Sequence, residues 1–382
     1  MTPGGSEMEA KRKIAIIGAS LFQEALILKA SEMGIETHVF AWKTGDIGES
    51  LADYFYPIST REKDKILARC REIGIDGIIS IGSDLAMDAV NYIADKMGLV
   101  GNSLEATRIS MNKHWMREAF AANGDPSPKS ILVDMDTDVC ELPPLEYPII
   151  VKPTDRSGSR GVNKLESPEG LARAIAAAVQ ESFEKKALVE EFATGDEYSV
   201  EYISYHGRHY MLTVTQKFTT GAPHFIETGH IQPAPISDEL KEKIRKVADH
   251  ALDTLKLENG AAHVELKVDA KGNIKLIEIG GRMGGDFIGS DLVQLSTGYD
   301  FVGAVVSIAM GDAIEEPPVV RDVRKVGVGF ITQKADLEQY SKIKRKHPDS
   351  IIKDKVDRRI ILKDDPTNIY ERCGYYIYEV RE

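Results

Sequence analysis

Two glutamates, a lysine, an arginine and a glycine loop carry the chemistry that this sequence could perform. Glu265 lies in HVELKV and Glu278 in KLIEIG, each flanked by apolar residues in a short strand-like run. The turn Ala270-Lys271-Gly272-Asn273 between the runs makes them antiparallel neighbours in a hairpin. Pleat parity can then set both carboxylates on one face, where two close acids repel and a cation between them is the natural remedy. Upstream, YPIIVKPTDRSGSRGV runs from Tyr147 to Val162. Its apolar strand ends in Lys152, and a lysine at the end of a buried strand is expensive unless it meets an anion. Ser157-Gly158-Ser159-Arg160-Gly161 follows, and such loops offer unobstructed backbone N–H groups to phosphate oxygens. Taken singly, Lys152 reads as a solvated strand end and each glutamate as a solvent-facing strand residue. Together they favour a phosphate ligand, with Mg²⁺ as the matching cation. Arg282, four residues past Glu278, suits bidentate capture of a phosphoryl group or carboxylate, or simple neutralisation of the two acids.

Other chemistries are disfavoured. The phosphate loop lacks the Gly-Lys-Ser/Thr of a Walker A motif. The early turn Gly18-Ala19-Ser20 has Ser20 and Gln23 where a dinucleotide fingerprint needs glycine, so NAD binding is not expected. No Ser/His/Asp or Cys/His arrangement is legible. Cys70, Cys140 and Cys373 are far apart and odd in number, without a C-x-x-C pair. Neither a disulfide framework nor a cysteine zinc site is expected, and a reducing, cytoplasmic setting is.

The elements that must position these residues are legible in outline. The chain has 382 residues, enough for about two or three domains. Its formal charge of −12 argues against general nucleic-acid binding. Met1–Arg12 is polar and does not read as a leader, and no apolar run approaches the roughly 18 residues of a membrane span. Strand-like runs at Lys13–Ile17, Glu36–Ala41 and Gly77–Ile81 alternate with helical patterns at Phe22–Met33, Arg61–Arg71 and Leu85–Met97. That alternation predicts a parallel, doubly wound sheet. Asp84 stands just past the third run, where such sheets expose ligands; it suits a substrate ammonium group or, equally, an N-terminal helix cap. After Asn112 come a helix to Ala122, strands at Ser130–Val133 and Pro148–Lys152, and a helix over Pro168–Phe183. Strands dominate Ala187–Gln232, and helices are expected at Ser237–Leu257 and Phe301–Met310. Glu315-Glu316-Pro317-Pro318 reads as a linker, followed by short strands and the basic stretch Lys342–Lys346.

The ordered set is then Asn112-Lys113 opening a helix, Lys152 with its glycine loop, Glu190-Glu191-Phe192-Ala193 leading to Glu197, and the glutamate pair followed by Arg282. This resembles the ATP-grasp superfamily from about Asn112 to Met310. The segments FIETGHIQPAP (Phe225–Pro235) and GGRMGGDFI (Gly280–Ile288) are similar to its L-amino-acid ligase branch. The resemblance implies an ATP-grasp fold of α/β and α+β class. Its parts would be a Rossmann-like domain over 1–112, an ATP-grasp domain over 113–310 with a lid at about 113–187, and a small capping domain over 311–382. It implies that Lys113 and Lys152 hold the ATP phosphates under a mobile loop containing Ser157, Gly158, Ser159 and Gly161. Glu190, Glu191 and Ala193 would form the adenine hinge, and Glu197 would bind the ribose. Glu265 and Glu278 would ligate one or two Mg²⁺ ions, for which Mn²⁺ can substitute. Arg282 would steady an acyl-phosphate-like intermediate, and His230 would line the acceptor site, against the plainer reading of a structural strand histidine. Gly280 departs from the family's usual asparagine, with Asp286 as a speculative replacement. The implied activity is ATP-dependent carboxylate–amine ligation on an amino acid or small acid, with small-molecule partners and a homodimer common in the superfamily. A bicarbonate- or formate-using relative and an ATP-binding module without turnover remain alternatives.

Overall fold

The computed structural model describes residues 11–223, 225–357, 359–360, 362 and 371–381. The polar segment Met1–Ala10 lies outside them, as does part of the expected capping region. Three sheets organise the chain. The first is parallel, in the order β3-β2-β1-β4, from β1 (Lys13–Ile17), β2 (Glu36–Phe40), β3 (Tyr54–Tyr56) and β4 (Gly77–Ile79). Ile14, Ile16 and Val39 fill one side of it and Ala15, Ile17 and Phe40 the other, so both faces are covered. Burial on both faces is why these strands read as continuous apolar runs.

The turn after β1 shows why a dinucleotide fingerprint is absent. Gln23 is buried, and its Nε2 donates to the Ile81 carbonyl at 2.6 Å. Its Oε1 accepts from the Ser20 backbone N–H at 3.0 Å. The amide thus fills the gap that a third glycine would leave open. Gln23→Ala would strand both backbone groups, so a loss of about 1–3 kcal/mol is expected in denaturant unfolding. A loss below about 0.5 kcal/mol, the range of ordinary surface substitutions, would show that water replaces the amide.

The second sheet, in the order β5-β8-β6-β7, is antiparallel. It comprises β5 (Ser130–Val133), β6 (Ile149–Pro153), β7 (Asn163–Leu165) and β8 (Ala187–Glu191), with the helix Leu171–Glu181 on one face. The glycine loop joins β6 to β7.

The third sheet has eight strands. They are β9 (Asp196–Tyr205), β10 (Arg208–Thr219), β11 (Glu227–Gln232), β12 (Gly260–Val268), β13 (Ile274–Gly280), β14 (Val326–Ile331), β15 (Ile351–Val356) and β16 (Gly374–Glu379). Their order is β13-β12-β9-β10-β11-β14-β16-β15. One face is apolar: Val200, Tyr202, Val264 and Leu266 pack against Ile244, Ala248 and Leu252 of the helix Asp238–Thr254. Each large apolar side chain buried there contributes about 1.5–3 kcal/mol. On the opposite parity Ser199, Glu201, His263 and Glu265 form a polar stretch, and it holds the site.

The C-terminal strands β14, β15 and β16 continue this sheet through the β11–β14 pairing. The region expected as a separate cap is thus built into the main sheet. The basic stretch Lys342–Lys346 ends the helix Lys334–Lys346. The apolar helix Phe301–Ala309 packs in one core with Ile14 and Val39 of the parallel sheet and with Ile203 and Leu212 of the eight-stranded one. That helix ties the N-terminal region to the rest.

Candidate functional site

Strand register brings the two glutamates together. Glu265 on β12 lies directly opposite Glu278 on β13. Directly opposed residues point to the same face, with Cβ atoms about 4.5–5.5 Å apart. On its other side Glu265 faces Ser199, and His263 faces Glu201. A row of polar residues thus crosses the sheet on the face away from the long helix.

These acids already meet cations. Glu278 accepts from Lys113 Nζ at 2.8 Å. Lys113 is the first residue of the helix Lys113–Asn123, capped by the Asn112 side chain, and its Nζ also donates to the Arg156 carbonyl at 2.8 Å. Glu265 accepts from Lys217 Nζ and pairs with His263 Nε2, both at 3.1 Å. His263 Nδ1 meets Glu201, a fully buried carboxylate that also accepts from the Gly284 N–H at 2.9 Å. Burial works against the imidazolium, but Glu201 and Glu265 outweigh it and raise the His263 pKa to about 9. Lys217 is buried as well, yet Glu265, Glu197 and Glu227 hold its pKa well above the ordinary lysine value.

Lys152 is buried and ion-paired to Glu190, whose second oxygen accepts from Arg117 Nε at 3.3 Å. Burial pushes the Lys152 pKa down, Glu190 opposes that, and Arg117 and Lys113 reinforce it. The trio carries two cations and one anion, so it keeps a net positive charge for an incoming anion. Glu190→Gln would leave both buried cations without that carboxylate. We expect about 3–5 kcal/mol lower stability in thermal or denaturant unfolding. ATP should then raise the melting temperature more in the variant than in the wild type. Equal ATP shifts would show that the trio does not face the nucleotide.

Other expected residues fall around the same cleft, a cavity of about 180 Å³ lined by Ser157, Gly158, Ser159, Ala193, Glu197 and Arg282 among others. Ser159 and Gly161 take positive φ, and Ser159 Oγ donates to the Phe225 carbonyl at 3.2 Å. The Glu191 side chain reaches Lys275 at 3.2 Å, and its backbone N–H donates to the Lys129 carbonyl at 3.0 Å. Glu197 lies 3.1 Å from Lys217.

Two residues, Asp84 and Asp286, are placed elsewhere than the sequence suggested. Asp84 does not cap its helix; Ser83 does, accepting from the Ala86 N–H. Both Asp84 oxygens are engaged by Arg282, through Nε at 2.8 Å and Nη2 at 2.9 Å. Burial alone would raise the Asp84 pKa, but the Arg282 charge lowers it. Asp286 is not beside Glu278. It accepts from Arg372 Nη1 at 2.8 Å and Nη2 at 2.9 Å, so it is committed to another cation. His230 is buried 3.7 Å from Asp286, neither ring nitrogen is hydrogen-bonded among the described residues, and burial lowers its pKa. It lines a second, adjoining cavity of about 500 Å³ that also contains Trp42, Asp84, Glu227, Arg282 and Asp286.

Sequence reading missed Arg117, Glu201, Lys217, Glu227, His263 and Arg372. A signal existed for Glu201, Lys217 and His263: each is a charged or titratable residue on the site-facing parity of a strand otherwise rich in apolar residues. Arg372 reaches the site only through strand order.

The donor set fits a hard cation. Two carboxylates on one face, open to a cleft, suit Mg²⁺, which is usually held by one or two carboxylates together with substrate phosphates. Among the described residues no group of three or more His, Cys, Asp or Glu forms a complete metal cage. The phosphates would therefore complete the coordination. Also among the described residues, no helix is long and apolar enough to cross a membrane.

Comparison with known proteins agrees with this geometry. Residues 145–291 match the ATP-grasp domain family. The alanine–anticapsin ligase of Bacillus subtilis is 28% identical over 323 residues, covering 73% of this chain and 68% of that protein. An L-amino acid ligase from Bacillus licheniformis superposes with a TM-score of 0.81 at 21% identity, covering 97% and 93% of the two chains. The biotin carboxylase domain of the Hydrogenobacter thermophilus 2-oxoglutarate carboxylase, solved with MgADP and bicarbonate, gives a TM-score of 0.74. It is 16% identical and covers 97% of this chain and 86% of that one. Residues 145–291 thus carry an ATP-grasp domain, and the chain is similar to amino-acid ligases built on it.

Proposed function

We propose that this protein joins a small carboxylic acid, such as an amino acid, to an amine, with ATP as the phosphoryl donor and ADP and phosphate as products. The observation that carries the reading is the facing pair Glu265 and Glu278, set in one cleft with Lys113, Lys152, Arg282 and the glycine loop. In this reading the acid's oxygen attacks the γ-phosphorus, ADP leaves, and the amine then displaces phosphate from the acyl carbon. Such a sequence asks for positioning and charge neutralisation rather than a strong base. Lys113 and Lys152 hold phosphate oxygens, and the loop from Ser157 to Gly161 covers them. Glu265 and Glu278 would hold Mg²⁺, which when bound would supply charge neutralisation for the phosphoryl oxygens. Arg282 presents its guanidinium to the acyl oxygen and the departing phosphate.

The adjoining cavity of about 500 Å³ supports an organic acid and amine over bicarbonate, which needs only a small anion pocket. Glu227 gives it a carboxylate that suits the ammonium group of an amino acid. The test is phosphate release from ATP and Mg²⁺ with pooled amino acids and small acids, products being read by mass. Release that depends on a pool, with a product equal to two substrates minus water, supports the reading. ATP binding with silence across every pool would leave an ATP-binding module without turnover.

A further inference from the structure

Asp84, Gly280 and Arg282 meet from regions built on two different sheets. Asp84 opens the helix Asp84–Met97 at the carboxyl end of the parallel sheet, whereas Gly280 ends β13 and Arg282 follows two residues later. The contact is a two-point fork, with Nε–Oδ1 at 2.8 Å and Nη2–Oδ2 at 2.9 Å. Two parallel bonds fix the plane of a guanidinium as well as its position. Gly280 is what makes room for the fork. A Cβ on residue 280 would lie 2.8 Å from Asp84 Oδ1 and 3.1 Å from Arg282 Cζ and Nε. Its φ is not in the left-handed region, so the demand for glycine here is one of space alone. The two backbones also approach closely at glycine: a Cβ on Gly82 would lie 3.7 Å from the Gly285 Cα. The helix Phe301–Ala309, packed against both the parallel and the eight-stranded sheet, holds this approach in place.

We propose that Asp84 is a positioning residue for Arg282, and that the space left by the absent side chain at 280 exists to admit it. This rests on the ligase reading above and deepens it. Asp84 occupies the Nε and Nη2 side of the guanidinium, so the Nη1 side and the second Nη2 proton remain for the site. Among the described residues Nη1 makes only a long contact, 3.3 Å, with the Met283 carbonyl. The N-terminal region thereby supplies part of the active site and orients its arginine across the junction. Because both Asp84 oxygens are taken, it is not free to receive a substrate ammonium group.

Gly280→Ala, Asp84→Ala, Asp84→Asn and the double variant test this. The atom that the new methyl at 280 would meet first is the end of a side chain, so Gly280→Ala should fold normally while pushing Asp84 off Arg282. Displacing a positioned group by about 1 Å can cost about 10²-fold in rate. Gly280→Ala and Asp84→Ala should each lower kcat by about 10- to 100-fold, a range set by that displacement. The KM for ATP and the calorimetric affinity for MgADP should stay near wild type in both, as should the melting temperature of Gly280→Ala, whereas Asp84→Ala, which leaves Arg282 without its carboxylate, should melt lower. Asp84→Asn, which keeps the shape and one acceptor oxygen, should retain more activity than Asp84→Ala. The double variant should be close to Asp84→Ala alone, because the methyl's nearest neighbour is then gone and Arg282, at 3.1 Å, need yield only slightly; residues in contact couple in this way. Wild-type kcat in Asp84→Ala, or effects that multiply in the double variant, would overturn the proposal.

A readout independent of turnover separates this from the function itself. Phenylglyoxal should modify Arg282 several-fold faster in Asp84→Ala and Gly280→Ala than in wild type, as mapped by peptide mass. Equal modification rates overturn the positioning role whatever the activity. A wild-type enzyme silent with every substrate pool would overturn the proposed function, while the modification rates would still decide the fork.

Discussion

Glu278→Gln should stop turnover while leaving the fold intact. The side chain is 23% exposed and faces the cleft directly opposite Glu265. Glutamine keeps its shape and still offers Lys113 an acceptor oxygen, so the stability loss should stay within about 1 kcal/mol. Function is another matter. A neutral amide removes one of two anionic ligands from a site whose cation must offset charge on the phosphoryl oxygens. Removing a single preorganised electrostatic group commonly costs about 10²–10³-fold in kcat, and loss of a metal ligand should reach or exceed the top of that range. Mn²⁺ binding in the presence of ADP, followed by calorimetry, should weaken in parallel. Near-normal turnover, or unchanged Mn²⁺ affinity, would refute the assignment of Glu278 as a metal ligand.

Lys152→Ala should raise the apparent KM for ATP strongly, by about 10- to 100-fold, the equivalent of a charge-assisted hydrogen bond worth about 1.5–3 kcal/mol. The fold should survive because Glu190 keeps Arg117 as its partner at 3.3 Å. The remaining pair is neutral, so the site loses its excess positive charge while gaining no unpaired ion. Lys152→Arg tests the geometry: it restores the charge, but a planar fork cannot replace a compact ammonium in a pocket this closed. Partial recovery of nucleotide affinity with poor kcat is expected there. An unchanged KM in Lys152→Ala would mean that the phosphate site lies elsewhere in the cleft.

Much of this architecture was legible before any coordinates. The alternation of apolar runs and helical patterns gave the parallel sheet, because strands covered on both faces must be apolar throughout. The glutamate hairpin was legible from its turn, AKGN, but the bulge between Glu265 and Leu266 that sets Glu265 opposite Glu278 was not. The helix Leu104–Met111 and the short strand Tyr54–Tyr56 were not, since neither is long enough for its period to stand out. The strands after residue 311 read as a separate cap because sequence order says nothing of which edge a strand joins. In the molecule β14 pairs with β11, almost a hundred residues upstream, and β16 pairs with β14 in turn, which brings Arg372, just before β16, to Asp286.

The sequence by itself determined which residue types could handle a polyanion and a divalent cation, and their order along the chain. That information is local: a strand's parity, a loop's glycines and a turn's length are set by neighbours a few residues apart. Tertiary structure alone decided how the charges pair. Asp84 and Arg282 are 198 positions apart, and Asp286 and Arg372 are 86 apart. Coulomb attraction in a cleft depends on separation in space and on exclusion of water, and neither is written in spacing along the chain. The glycine at 280 shows the difference most clearly. In the sequence it is a departure from a family pattern; in the folded protein it is the space that a distant carboxylate fills.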